Sequence, residues 1–202
     1  MIIGDSHFKK LNEEAIIDVS SQPVEYGQDY FEEFERRSNS PIAKRLYQFR
    51  QSYAESLGNE GPILDYGSGY GVIVLSDVNN RWYGTDINPY CKKHLGSKYV
   101  DPSAIGDFET VCFFDVLEHF QDPIAILGLP QGKVVVTIPL KSTLKDLSNW
   151  KHWKPKEHFL YATPKGFEEL VVSCNYRILD HNMVESSIGR QDIHTYCLEK
   201  HD

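Results

Sequence analysis

The sequence is poor in the features by which many chains announce their class. Its four cysteines, Cys91, Cys112, Cys174 and Cys197, lie far apart and form no CxxC pair. That removes a disulfide framework and a cysteine zinc knuckle. The opening MIIGDSHFKK has neither the basic start nor the apolar run of a secretory leader, and no stretch approaches the roughly 18 apolar residues of a spanning helix. Basic charge is scarce: Lys and Arg number 21 against 29 Asp and Glu, a net −8. The basic pairs Lys9-Lys10, Arg36-Arg37 and Lys92-Lys93 make no stripe, so a nucleic acid is disfavoured as the main partner. There is no internal repeat and no low-complexity tract. What these absences leave is a soluble chain of a reducing compartment, expected to be cytoplasmic, with no membrane partner.

What is present suits one domain with an appendage: 202 residues, 41% apolar, with 14 Gly. Residues 1–61 read as an N-terminal helical cap or lid, opened by a weakly patterned stretch, 1–21, that suits a strand or an arm. Within them Tyr30, Phe31 and Phe34 recur at helical spacing, and Pro41 opens PIAKRLYQFRQSYAESLG. There Ile42, Leu46, Phe49, Tyr53 and Leu57 make one stripe, and Gly58 stops it. Residues 62–202 read as a single structural unit. PILDY, RWYGTD, TVCFF and KVVVTIPL are strands too apolar for a one-sided sheet, and helical pieces alternate with them. The pattern predicts a doubly wound, mostly parallel α/β sheet, with YRILDHNMV and DIHTYCLEK as an antiparallel pair at its C-terminal edge.

The strongest local signal is Asp65-Tyr66-Gly67-Ser68-Gly69-Tyr70-Gly71, directly after the strand Ile63-Leu64. Glycines let a backbone turn sharply and approach a ligand with no Cβ in the way. Twenty-one positions after Asp65, the second strand ends in Asp86, placed to accept the hydroxyls of a ribose. The loop and the acid together indicate a nucleoside cofactor with a polar tail. A dinucleotide fingerprint spaces its glycines G-x-G-x-x-G; here they run G-x-G-x-G, and no GK[ST] is present for a Walker loop. An acid at Asp65 repels a pyrophosphate and attracts an ammonium.

ILDYGSGYG, YGTDINP, FFDVLEHFQDP and VVVTIPL, in that order, resemble the class I S-adenosylmethionine-dependent methyltransferases, over about residues 62–180. The resemblance implies a Rossmann-like fold and S-adenosylmethionine as cofactor. It implies that Asp65, Gly67, Ser68, Gly69 and Gly71 hold the methionine end, and that Asp86 with Ile87 holds the ribose. Asp101 or Asp107 would lie near adenine, and Asp115 is a further cofactor-binding candidate. The helix after the loop is short, with seven residues between Gly71 and Asn79-Asn80, which would leave the cofactor site more open.

Methyl transfer from a sulfonium is an in-line displacement, so the protein mainly aligns the reacting atoms, and a hydroxyl acceptor also needs a base or a metal. Asp115, Glu118 and His119 follow the strand TVCFF at i, i+3 and i+4, which on a helix share a face. His158 lies in the loop after the strand KVVVTIPL. Glu118, His119 and His158 are therefore the catalytic candidates, and Asp115, Glu118, His119 and His158 form a candidate set for a divalent metal. The pattern is similar to that of ubiquinone-type O-methyltransferases and small-RNA ribose methyltransferases, where it is a metal set. Many relatives write LEH with no metal. The aromatic loop at 141–164, with Trp150 and Trp153, either stacks on an acceptor or forms a satellite core. Tyr26 and Tyr30 either close on the cofactor or are lid core.

The expected activity is methyl transfer to a small-molecule acceptor, at a hydroxyl oxygen. Competing readings are a metal-assisted RNA ribose methyltransferase, a non-catalytic S-adenosylmethionine-binding protein, and a nicotinamide oxidoreductase, for which the glycine spacing is wrong. Base methylation is disfavoured. The place of an N/D/S-P-P-Y/F motif reads Phe114-Asp115-Val116-Leu117, and no cysteine follows a proline.

Overall fold

The computed structural model describes residues 7–22, 24, 26–58 and 60–201; of the expected N-terminal cap, residues 1–6, Pro23, Glu25 and Asn59 lie outside the described residues. The chain begins with strands β1 (Phe8–Asn12) and β2 (Ala15–Asp18), then helices α1 (Gln28–Ser38) and α2 (Pro41–Glu55). There follow β3 (Ile63–Tyr66), α3 (Val72–Ser76), β4 (Trp82–Thr85), α4 (Pro89–Leu95) and β5 (Thr110–Phe114). The rest is α5 (Pro123–Leu127), β6 (Lys133–Pro139), β7 (Leu160–Ala162), α6 (Pro164–Ser173), β8 (Tyr176–Asn182) and β9 (Ile193–Lys200). Four helices open on a capping residue followed by proline. Ser40, Asn88, Asp122 and Thr163 each accept a backbone N–H from the first turn of α2, α4, α5 and α6, and each proline occupies a position that has no donor to lose.

The six-stranded sheet has the order β4-β3-β5-β6-β9-β8. β3 runs parallel to β4 and to β5, and β8 and β9 are antiparallel. This is a Rossmann-like α/β sheet, mostly parallel, ending in antiparallel C-terminal strands. Beyond β4 the sheet dwindles to a single parallel bridge, Gly84 with Tyr99.

The chain forms two compact units. The glycine-loop unit comprises residues 25–114 and 130–135, and so holds α1, α2 and the strands β3, β4 and β5. Its core joins Ala54 to Ile63, Ile73, Trp82, Cys112, Phe114 and Val135, with Tyr47, Tyr53 and Leu57 against it. The stripe expected of α2 is displaced. Ile42 is 66% exposed, and the buried residues are Arg50 and Ala54. A charged residue therefore sits where an apolar one is expected.

The hairpin unit comprises residues 1–24, 115–129 and 136–202. The stretch read as a strand or an arm forms the hairpin β1–β2, and β2 pairs antiparallel with β7 in a second sheet of order β1-β2-β7. Ile16, Leu144, Leu147, Trp150 and Tyr161 form its core, with Phe8 and Trp153 packed on it. The aromatic loop after β6 is thus tied down by its tryptophans. The expected division at 61/62 differs from this one because α1 and α2 pack with the parallel strands while the hairpin packs with β7. No helix among the described residues is long and apolar enough to cross a membrane.

Candidate active site

Asp65 is the third residue of β3 and 5% exposed. Burial pushes its carboxyl up to about 7; Arg50 pulls it down and Asp86 adds to the rise. After β3, Gly67, Gly69 and Gly71 have φ of 78°, 54° and 71°, the left-handed region that side chains with a Cβ resist. At Gly69 there is a second constraint: the ring of Phe34, from α1, stands where a Cβ would be. The loop is pinned to β4, since Gly67 N–H and Ser68 N–H both donate to the Thr85 carbonyl at 2.8 and 3.0 Å. The Ser68 hydroxyl donates to the same oxygen at 3.3 Å, so the donors of Ser68 serve the turn.

Asp86 follows β4 and stands against the loop. One carboxylate oxygen accepts from Gly69 N–H and the other from Asn88 N–H, each at 2.8 Å. The Cys91 thiol also donates to it, and burial raises its pKa. Each carboxylate oxygen carries two acceptor sites, so hydroxyl donors can be added to these bonds. Ile87 is 83% exposed. Asp101 is exposed and caps the 3₁₀ turn Pro102–Asp107, accepting from Ser103 N–H and hydroxyl at 3.0 and 2.6 Å. Those bonds, chiefly from the Ser103 hydroxyl, hold its carboxyl below the usual range. Asp107 ends that turn, also exposed.

Helix α1 is bound to this loop. The Tyr70 hydroxyl donates to Glu35 at 2.6 Å, and the Asn88 side chain donates to the Gly27 carbonyl at 3.1 Å. Phe31 packs against Tyr70, Tyr90 and His94, at ring distances of 5.5, 6.2 and 5.6 Å. Tyr26 meets Tyr30 edge-on, and Tyr30 stacks on Phe34. Of these aromatics, Phe34 stands against Gly69 of the glycine loop and Phe31 against Tyr70.

A second cluster lies in the hairpin unit. Glu118 and His158 are 1% and 4% exposed, and the rings of His119 and His158 meet edge-on at 4.8 Å. One ligand atom from each of Glu118, His119 and His158 lies within 4.8 Å of the others. The Phe159 N–H donates to the Glu118 carbonyl at 2.7 Å, which fixes the loop after β6 beside the turn after β5. Glu118 Oε2 and His158 Nδ1 are buried without a hydrogen-bond partner. Burial, then Asp115, pushes Glu118 up to about 8. Burial lowers His119, and burial with His119 alongside takes His158 to about 3.

Asp115 is not one of this group. The expected helix over 115–119 does not form: Asp115 has a φ of +58° and only Leu117–His119 make a 3₁₀ turn. The left-handed residue directs the carboxylate to Arg190, 2.9 Å away, and Arg190 also pairs with the fully buried Glu185. Glu118, His119 and His158 meet through long-range packing, not through helix periodicity. Two further residues went unsuspected. Arg190 carries no local signal. Arg50 has one: Tyr47, Arg50, Ala54 and Leu57 share a helical face, but hydrophobic periodicity passes over a stripe with a charge inside it.

Comparison with known proteins adds to this geometry. A family described as a methyltransferase domain matches residues 34–181. No curated protein sequence matches the chain significantly. Among solved structures, it is similar to the 1,6-didemethyltoxoflavin-N1-methyltransferase of Burkholderia thailandensis with bound 1,6-didemethyltoxoflavin and S-adenosylhomocysteine. That likeness has 12% identity and a TM-score of 0.59, over 98% of this chain and 100% of the other. Magnesium protoporphyrin IX methyltransferase from Synechocystis PCC 6803, with S-adenosylhomocysteine bound, shows 13% identity and a TM-score of 0.62 over 87% and 96%. A glycopeptide N-methyltransferase complexed with sinefungin shows 12% and 0.54 over 77% and 87%. At such identities the likeness speaks for the fold; the family match covers most of the chain, and the chain belongs to the methyltransferase-domain family as a class I S-adenosylmethionine-dependent methyltransferase.

Proposed function

We propose that this enzyme moves the methyl group of S-adenosylmethionine to a hydroxyl of a small molecule, with His119 as the general base. The glycine loop, Asp65 and Asp86 are read as the cofactor site, and Asp101 as the group near adenine. The small-molecule class is supported by relatives of the same fold named for toxoflavin and porphyrin substrates, and by the acidic net charge of −8. The observation that carries the choice of oxygen is the buried His119–His158–Glu118 cluster. A neutral amine is nucleophilic enough to attack before it loses a proton, whereas a hydroxyl attacks well only as a group takes its proton.

The chemistry balances simply. The acceptor oxygen bonds to the methyl carbon, the carbon–sulfur bond breaks, and its electron pair stays on sulfur as the thioether. The hydroxyl proton passes to His119, whose ring burial keeps neutral and able to accept it. His158, held at about 3, is too weak a base for that step and acts as the wall that orients the His119 ring. Glu118, raised to about 8, is protonated at neutral pH and adds no charge that would hold the proton in place.

A second reading keeps a divalent ion at Glu118, His119 and His158. Two imidazoles and a carboxylate suit a borderline metal, and two of the donors have buried atoms without partners. Tetrahedral ligands at about 2.1 Å from an ion stand roughly 3.4 Å apart, so the cluster would contract on binding, and Glu118 would release its proton. Such an ion would act as a Lewis acid toward the acceptor oxygen. We read the compartment as cytoplasmic, in keeping with four free thiols. The test is a screen of hydroxyl and amine acceptors by the formation of S-adenosylhomocysteine, with and without chelator. Turnover confined to hydroxyl acceptors and lost in His119→Ala supports the proposal, turnover confined to amines overturns it, and chelator sensitivity selects the metal form.

A further inference from the structure

A general base must be held still, and the turn that carries His119 begins on an unfavourable residue. Asp115 has a φ of +58°, in the left-handed region that a residue with a Cβ keeps only where its surroundings impose it. We infer that Arg190, in the loop between β8 and β9, is a positioning residue for the turn that bears Glu118 and His119, and that it acts through its ion pair with Asp115. The pair holds the left-handed backbone from which the turn departs. Its consequence for catalysis rests on the reading of His119 as the base.

Three observations carry it. The first is that residues 190–192, consecutive in the chain, grip both segments that meet in the histidine cluster. Arg190 Nη2 stands 2.9 Å from the Asp115 carboxylate, at the head of the turn after β5. The Gln191 carbonyl lies 3.0 Å from His152 Nε2, and the Asp192 carboxylate accepts from Trp150 Nε1 at 2.8 Å. Both of those rings belong to the loop that carries His158. Where that loop leaves β6, the Leu140 N–H donates to the Asp192 carbonyl at 2.9 Å. One short segment thus supports the two that supply the cluster.

The second observation is how Arg190 is itself fastened. Its N–H donates to the Glu185 carbonyl at 3.1 Å, and its guanidinium pairs with the fully buried Glu185 carboxylate. A planar fork held on one arm presents the other in a fixed direction, and that direction is toward Asp115. The third lies in the turn. Asp115 N–H donates to the Thr137 carbonyl and hydroxyl at 2.9 and 3.1 Å, which anchors the residue's amide to β6. Only Val116 and Leu117 then separate it from Glu118, whose carbonyl accepts the Phe159 N–H at 2.7 Å. Over so short a path, a change of φ at Asp115 moves the Glu118 carbonyl and the His119 ring with it.

The test is amide hydrogen exchange by NMR on the full chain, read at Phe159, whose N–H reports the contact between the two segments. Arg190→Met should speed exchange there about 10-fold, the strain of one left-handed residue expressed as an opening equilibrium. Asp115→Gly combined with Arg190→Met should recover most of the protection, because glycine takes a positive φ without support. Turnover, followed as S-adenosylhomocysteine formed with an acceptor from the screen, should keep the same order. It should fall about 10²-fold in Arg190→Met, the scale of an ångström-sized misplacement, and rise again in the double variant. Unchanged exchange at Phe159 in Arg190→Met overturns the inference. So does a loss that Asp115→Gly does not restore, since Arg190 would then serve only to neutralise Glu185. Should Arg190→Met fail to fold, the pair is tested from its other side: Asp115→Ala should lose the protection and Asp115→Gly keep it, and equal loss overturns the inference. If exchange follows the expected order and turnover does not, His119→Ala separates the two failures. Turnover intact in His119→Ala puts the fault in the general-base reading and leaves Arg190 holding the turn; turnover lost there overturns the positioning role.

Discussion

The glycine loop and the histidine cluster place polar groups inside the protein by opposite means. Around the loop, backbone N–H groups do most of the work and are bonded: Gly67, Ser68 and Gly69 donate to Thr85 or Asp86. The three positive φ angles there hold the turn in one shape. In the cluster, side chains do the work, and Glu118 Oε2 and His158 Nδ1 have no hydrogen-bond partner. Leaving such atoms unpaired costs about 1–3 kcal/mol each, a cost natural cores avoid unless the site serves something else. The difference separates a turn whose backbone donors are satisfied from a desolvated cluster whose side chains burial shifts toward their neutral forms.

That contrast can be broken by substitution. The largest effect should come from the loop. Gly69→Val puts a branched side chain at a φ of 54° and into the ring of Phe34. S-adenosylhomocysteine binding should vanish in calorimetry while circular dichroism stays close to native; full binding would mean the glycines are only a turn. Next is His119→Ala, which should lower turnover by about 10²- to 10⁴-fold, the range for a lost general base, with S-adenosylhomocysteine affinity unchanged. If binding fell in step with turnover, the two regions would not be separable as described. A smaller loss is expected of Asp86→Ala, about 1–3 kcal/mol of cofactor affinity, because the variant removes one acceptor and frees Gly69 without touching the core.

The pH dependence sharpens the comparison further. Burial holds His158 at about 3 and His194 at about 4, against an ordinary 6.5. Their contribution to stability is complete above pH 6.5 and is lost as pH falls toward those values, because the unfolded chain binds protons that the fold does not. Asp65 and Glu118 have the reverse sign. Raised from 3.8 and 4.5 to about 7 and about 8, they support the fold in their protonated form, and that support is lost as pH climbs through the folded values. Between about 4.5 and 6.5 the two trends oppose each other; above 6.5 only the acids titrate, each worth about 1.4 kcal/mol per pH unit while it does so. The ligand-free melting temperature should therefore fall between pH 6.5 and 8, and Asp65→Asn should flatten that fall. A melting temperature that rises across this range, or an Asp65→Asn profile parallel to wild type, would contradict the assignment.

The sequence made the loop readable because its causes are local. Four strands, the glycine spacing and the acid at Asp86 all lie within a short stretch, and each residue type there is dictated by backbone geometry. Cap-and-proline pairs such as Ser40-Pro41 and Thr163-Pro164 likewise mark helix starts from adjacent residues alone. The cluster was only half readable. Glu118, His119 and His158 were identifiable as candidates by type, but the reason they meet is the contact of two loops, visible as the Phe159 N–H to Glu118 bond. Helix periodicity gave the wrong role to Asp115, since a left-handed residue after β5 turns it toward Arg190, 75 positions away along the chain. Arg50 was hidden for a third reason: a rule that seeks apolar stripes discards a buried charge, which is the observation that matters there. At residues 8–18 a strand or an arm was legible, but not its pairing, because the partner strand, β7, comes from the other end of the sequence.

The account stands most directly on which cofactor the glycine loop accepts. Titration calorimetry of the wild-type chain with S-adenosylhomocysteine and, separately, with NAD measures this without knowledge of the acceptor. The account predicts one S-adenosylhomocysteine bound per chain, lost in Gly69→Val and weakened in Asp86→Ala, and no heat from NAD. Saturable binding of NAD with none of S-adenosylhomocysteine would contradict it.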